Sequence, residues 1–83
     1  MFVNIGFGNY VNAEQITAMI TPDSAPSKRL VQKAREENHC VDATQGRRTR
    51  GIIITSGDRV ILSALVPETI AARIKAESQT EGD

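Results

Sequence analysis

The chain has 83 residues and a mass of 9.0 kDa, room for one small domain and not for two. Ten Lys and Arg balance ten Asp and Glu, and a formal net charge of zero argues, as an average, against nucleic-acid or membrane-surface partners. Cys40 is the single cysteine, which excludes an internal disulfide and fits a reducing cytoplasm. No apolar run approaches the ~20 residues of a membrane span, and the opening residues lack signal-peptide order. A domain of this size buries only roughly 60% of its unfolded-chain surface, so self-association is expected to add stability.

The elements follow in chain order. Val3, Ile5 and Phe7 alternate with other residues and predict one face of a half-buried strand. Gly8-Asn9 signals a turn, after which Tyr10-Val11 begins a second extended piece. The stretch from Gln15 to Ile20 is short and β-branched, so a strand is favoured over a helix, and Pro22-Asp23 ends it. Ser24 then caps a helix with Pro26 in its first turn. Ser27, Leu30, Val31 and Ala34 form its apolar stripe, and Asn38 suits a left-handed C-cap.

Residues 39–44 are expected to be extended. Two apolar runs, 52–55 and 60–62, flank Gly57-Asp58, which predicts a two-residue hairpin turn pairing Ile54 with Ile61 and Ile53 with Leu62. Apolar side chains then project from both faces. One face meets the helices, and a neighbouring subunit is the preferred cover for the other. Pro67-Glu68-Thr69 opens a last helix, with Ile70, Ala71 and Ile74 on one face. The expected organisation is one domain over residues 1–76 and an acidic tail over 77–83. The fold class is α+β, a small, mostly antiparallel sheet with two helices.

Chemistry concentrates in Gly46-Arg47-Arg48-Thr49-Arg50-Gly51, three guanidiniums in four residues with no acid among them. Like charges so close favour an arriving anion, and the planar arginine fork suits phosphate and guanine edges. The flanking glycines leave the backbone free to approach a phosphate or to swing. If the segment is extended, Arg48 and Arg50 share one face and Arg47 points to the other. The competing reading is a solvated loop, or arginines paired with acids on another subunit. On the first helix Lys28, Arg29, Lys33 and Arg35 extend the basic surface or form an ordinary solvated face.

Other chemistries fare worse. Gly6-Phe7-Gly8 lacks the further glycine or lysine of a nucleotide loop. His39 and Cys40 are neighbours, so in a strand they point to opposite faces and make a poor catalytic pair. One His and one Cys do not build a metal site. The two helices are separated by the hairpin, which excludes a helix–turn–helix. No catalysis and no cofactor are expected.

Several motifs in one order resemble the RemA family of small bacterial extracellular-matrix regulators. They are Asn4-Ile5-Gly6-Phe7-Gly8-Asn9, Asp23-Ser24-Ala25-Pro26 with Lys28-Arg29, Asp42-Ala43-Thr44 with residues 46–50, Ile61-Leu62-Ser63-Ala64, and Pro67-Glu68-Thr69. The resemblance runs from Phe2 to Ile74. It implies a DNA-binding transcriptional regulator of matrix and biofilm genes, associated with the nucleoid, forming a ring-shaped homo-oligomer on duplex DNA. The family's DNA-contacting arginines carry over to Arg47 and Arg48, with Arg50 in the same motif. Gln15 stands where the family has a basic contact near the second strand, and Gln45 stands in place of an aromatic. Candidate DNA-binding residues are thus Arg47, Arg48, Arg50, Gln15, Lys28 and Arg29. The alternative is a protein-interaction or scaffold module whose arginine loop binds acidic partner surfaces.

The zero net charge conceals segregation. Residues 28–50 hold seven basic and three acidic groups, a net +4, and the remaining positions carry the compensating −4.

Overall fold

Ile52, Ile53 and Ile54 are consecutive, so a strand through them must bury side chains on both faces. The computed structural model, which describes residues 1–81, meets that demand within one chain. A hairpin of β1 (Phe2–Gly6) and β2 (Asn9–Asn12) leads through a 3-10 turn, Ala13–Gln15, into β3 (Ile16–Ile20). Then follow α1 (Ala25–Glu36), β4 (Cys40–Asp42), β5 (Gly51–Thr55), β6 (Arg59–Ser63) and α2 (Pro67–Glu81). The four later strands form one sheet in the order β3-β5-β6-β4, antiparallel except that β4 runs parallel to β6. The α+β class therefore holds, with a second, two-stranded sheet and one parallel pair.

The sheet has a core on each side. Ile52, Val60 and Leu62 pack with Ala34 of α1 on one face. Ile53 packs on the other face with Val3, Ile5 and Val11 of the N-terminal hairpin, Ala43, and Ile70 of α2. The chain thus supplies both covers, and the expectation that a neighbouring subunit caps one face is corrected. Two layers from distant segments do what the hairpin region alone could not.

The β5–β6 register also differs by one residue from the expected one. Ile54 faces Val60, Ile53 faces Ile61 and Ile52 faces Leu62. The reason is non-local. The Ser56 N–H donates to the Gln15 carbonyl at 2.9 Å, which draws Ser56 toward the neighbouring strand and leaves a three-residue loop. Gly57 and Asp58 within it adopt positive φ, 79° and 59°.

Local signals set the ends of α1. The Ser24 hydroxyl accepts from the Ser27 N–H at 3.2 Å, the N-cap bond. At the other end His39 N–H reaches the Ala34 carbonyl at 2.8 Å and Asn38 N–H the Arg35 carbonyl at 3.2 Å, a Schellman closure with Asn38 at φ 60°. Ser27 and Ala34 are buried, while Leu30 sits at the rim. On α2, Ile70 and Ile74 face the core and Ala71 is exposed, contrary to its predicted place. The helix runs to Glu81, past the start of the expected acidic tail. Residues 82 and 83 of that tail lie outside the described residues.

Phe7 is a further correction. Its alternation with Val3 and Ile5 predicts burial, but β1 ends at Gly6 and Phe7 turns outward, 52% exposed. Gly6, Phe7 and Gly8 have φ of 113°, 55° and 75°, and the turn at Phe7-Gly8 begins one residue earlier than Gly8-Asn9 suggests.

Ser63 joins these layers. Its hydroxyl, fully buried, donates to the Ile5 carbonyl at 2.8 Å and accepts from the Leu65 N–H at 3.0 Å. Ser63→Ala leaves both backbone groups without that partner, at about 1–3 kcal/mol. Denaturant unfolding is expected to show that loss, whereas Ser56→Ala, whose hydroxyl is exposed at the hairpin tip, stays within about 0.5 kcal/mol of the parent.

Candidate nucleic-acid interface

The arginine segment is a loop between β4 and β5, and short polar bonds shape it. Asp42 Oδ1 accepts from the Thr44 hydroxyl at 2.6 Å and from the Thr44 N–H at 2.9 Å, closing an Asx turn. Those two bonds, chiefly the side-chain one, hold the Asp42 carboxyl below the usual carboxylate range. Arg35 adds to the effect and desolvation opposes it. A depressed carboxyl pKa supports the native loop above the ordinary value and loses that support as pH falls through the lowered one. Gln45 and Gly46 then reverse the chain at φ 55° and 77°, and Arg47 N–H closes onto the Thr44 carbonyl at 3.0 Å. At the far end Arg50 N–H donates to the Ser63 carbonyl at 2.9 Å. Both ends of the loop are thus anchored while its arginines stay exposed.

This loop, the β1–β2 turn and α2 enclose a cleft of about 610 Å³. Arg47, Arg48, Arg50 and Arg73 line it together with Phe7, and its lining includes no carboxylate. Arg47 therefore joins Arg48 and Arg50 on one cleft instead of pointing away, because the reversal at Gln45-Gly46 replaces the extended geometry assumed for it. Arg73 Nη1 is fixed on the Asn4 carbonyl at 3.0 Å. Sequence reasoning missed Arg73. Its only signal is its helical spacing, three residues after the buried Ile70, although Arg73 itself is exposed.

Arg48 also lies 3.9 Å from Asp23, with both side chains more than three-quarters exposed. An exposed pair of that kind is worth little and yields readily to a competing anion. The two glycines have separate roles. Gly46 has open space where a Cβ would sit, but its φ of 77° is a left-handed conformation that a side chain would strain. Gly51 instead permits close packing, since a Cβ there would collide with the Leu65 carbonyl oxygen.

The other predicted contacts are dispersed. Lys28 lines a cavity of about 330 Å³ with Arg35 and Thr49, so it continues the basic surface from the loop onto α1. Arg29 is exposed on the same helix. Gln15 lies beside Ser56, at the end of β5 remote from Arg50. A five-residue strand spans roughly 17 Å, so Gln15 does not share the arginine cleft.

His39 and Cys40 remain apart from this site. Cys40 packs on the α1 side of the sheet. No group of three metal-ligating side chains occurs among the described residues. No helix among them is long and apolar enough to cross a membrane.

The family model described as extracellular matrix regulatory protein A-like matches residues 2–74. A relative in Brevibacillus brevis is 60% identical over 72 residues, covering 87% of this chain and 84% of its own length. Another in Heliobacterium modesticaldum is 56% identical over 82 residues, covering 98% and 90%. A third in Halalkalibacterium halodurans is 52% identical over 81 residues, covering 98% and 93%. All three carry names that describe them, provisionally, as regulatory proteins. With nearly the whole domain matched and the arginine loop inside the match, the chain belongs to the RemA-like family of extracellular matrix regulatory proteins.

Proposed function

We propose that this regulatory protein binds duplex DNA through its arginine cleft and controls transcription of extracellular-matrix and biofilm genes. The observation that carries the reading is the convergence of Arg47, Arg48, Arg50 and Arg73 on one cleft with no acid in its lining. Four guanidiniums in that setting repel one another and gain most from a polyanion. Lys28 and Arg29 widen the basic surface, and Gln15 makes a separate, uncharged contact. Nothing in this mechanism requires a cofactor or a catalytic step, and the site of action is the nucleoid.

One cleft binds DNA weakly, so the reading includes a ring-shaped homo-oligomer that repeats it. The second and later contacts become intramolecular, and avidity rises by about 10²–10⁴ where the geometry fits. Support for self-association comes from the outer face of the N-terminal hairpin. Phe2 and Tyr10 stand there 66% and 63% exposed, unused by either core. Backbone neutralisation dominates affinity, and DNA deformability or repeated sites provide specificity. The rival is a scaffold module whose arginines meet acidic protein surfaces. It predicts no retention of DNA at moderate salt.

Four outcomes test the proposal. Genomic fragments selected by the protein and sequenced are expected to converge on promoters. The Arg47→Ala/Arg48→Ala double variant is expected to lose at least tenfold in affinity for such a fragment while keeping its assembled mass, and an unchanged isotherm removes the site assignment. Light scattering on dilute wild-type protein is expected to give a multiple of 9.0 kDa, and a monomer mass removes the ring. Finally, log affinity should fall with log salt at a slope of about −0.9 per phosphate neutralised, and Arg73→Ala should reduce that slope by about one contact.

A further inference from the structure

The DNA-binding reading leaves Phe7 unexplained. It is a large apolar side chain in a small protein, yet neither core uses it, and about half of it is exposed. Its backbone is left-handed at φ 55°, a conformation that bulky residues rarely adopt and that Asn or Gly adopts at little cost. Neighbouring groups hold it there. Asn4 Oδ1 accepts from the Gly6 N–H at 2.8 Å, and Asn9 Nδ2 donates to the Gly6 carbonyl at 3.0 Å. The same Asn9 amide reaches the Ala43 carbonyl at 3.5 Å, tying the turn to the arginine loop. The turn that carries Phe7 is therefore held beside the arginine loop, with Phe7 on the wall of the four-arginine cleft.

The geometry points to Phe7 as an apolar wedge that enters a base step of the bound duplex while the arginines clamp the flanking phosphates. This rests on the DNA-binding reading and adds the manner of binding. An aromatic projecting among guanidiniums suits a polyanion that also offers apolar faces, as the stacked bases between two phosphate strands do. Partial insertion unstacks a step and kinks the duplex, and pyrimidine–purine steps yield most readily. Strain in the free turn keeps the ring out of the protein's own core and ready for that use. A simple phosphate contact would need no aromatic, and packing would not leave the ring half in water.

The test uses the full chain and an end-labelled duplex taken from the promoter fragments selected above, with bending read by energy transfer between the ends. Phe7→Asn suits the left-handed backbone, so it is expected to melt at or above the wild-type temperature and to keep the wild-type mass. It should bind about tenfold more weakly, in keeping with the loss of one aromatic–base stack, and should leave the duplex unbent. Phe7→Leu keeps an apolar wedge in the same backbone and is expected to retain the bend. Wild-type bending by Phe7→Asn overturns the inference while leaving DNA binding intact. Loss of assembled mass in Phe7→Asn overturns it too, by assigning the ring to a subunit contact. Failure of the wild-type protein to retain any duplex overturns the DNA-binding reading itself, and the wedge with it.

Discussion

The structure depends on one constraint, a central hairpin that is apolar on both faces. Ile52 and Ile53 point in opposite directions and are both almost fully buried, as are Val60 and Leu62 on the partner strand. Each such side chain gains about 1.5–3 kcal/mol on burial, so neither face can be left to water. The chain answers with α1 on one side and the N-terminal hairpin plus α2 on the other. That second cover has a consequence for the site. The elements that shield Ile53 also bring the β1–β2 turn and Arg73 alongside the arginine loop.

Polar bonds at the edge of the core hold this arrangement in register. Ser63 contributes its hydroxyl to Ile5 and Leu65 and its carbonyl to Arg50, so one residue connects the N-terminal hairpin, the approach to α2 and the loop exit. Asp42 and Thr44 do the corresponding work at the loop entrance. The arginines themselves make few bonds within the protein. The backbone at both ends of the loop is hydrogen-bonded, while the side chains of Arg47, Arg48 and Arg50 are exposed and Arg73 is held on the Asn4 carbonyl.

Much of this was legible before any coordinates. Ser24 and Asn38 mark the ends of α1 because capping chemistry is local, a matter of side-chain oxygens and a tolerated left-handed φ. The arginine run was visible as charge without neighbouring acid. What escaped was non-local. The hairpin register follows from Ser56 bonding to Gln15, forty-one residues away in sequence, which turn propensity does not register. Phe7 fits a period-two strand, and the positive φ at Gly6 that ends that strand has no marker beyond the glycine itself. Arg73 lies on another helix altogether, outside the basic segment 28–50.

The sequence by itself determined the α+β class, the order of the elements, the family, and a basic middle offset by acidic flanks within a net charge of zero. These depend on short-range periodicity, capping and composition, which act over a few residues. Only the tertiary structure decided that both faces of the sheet are covered within one chain. It alone set the strand register and separated Gln15 from the arginines. It also gathered three loop arginines, one helix arginine and one outward phenylalanine around a single cleft. Those outcomes depend on which distant surfaces bury one another, and contact across the fold sets them.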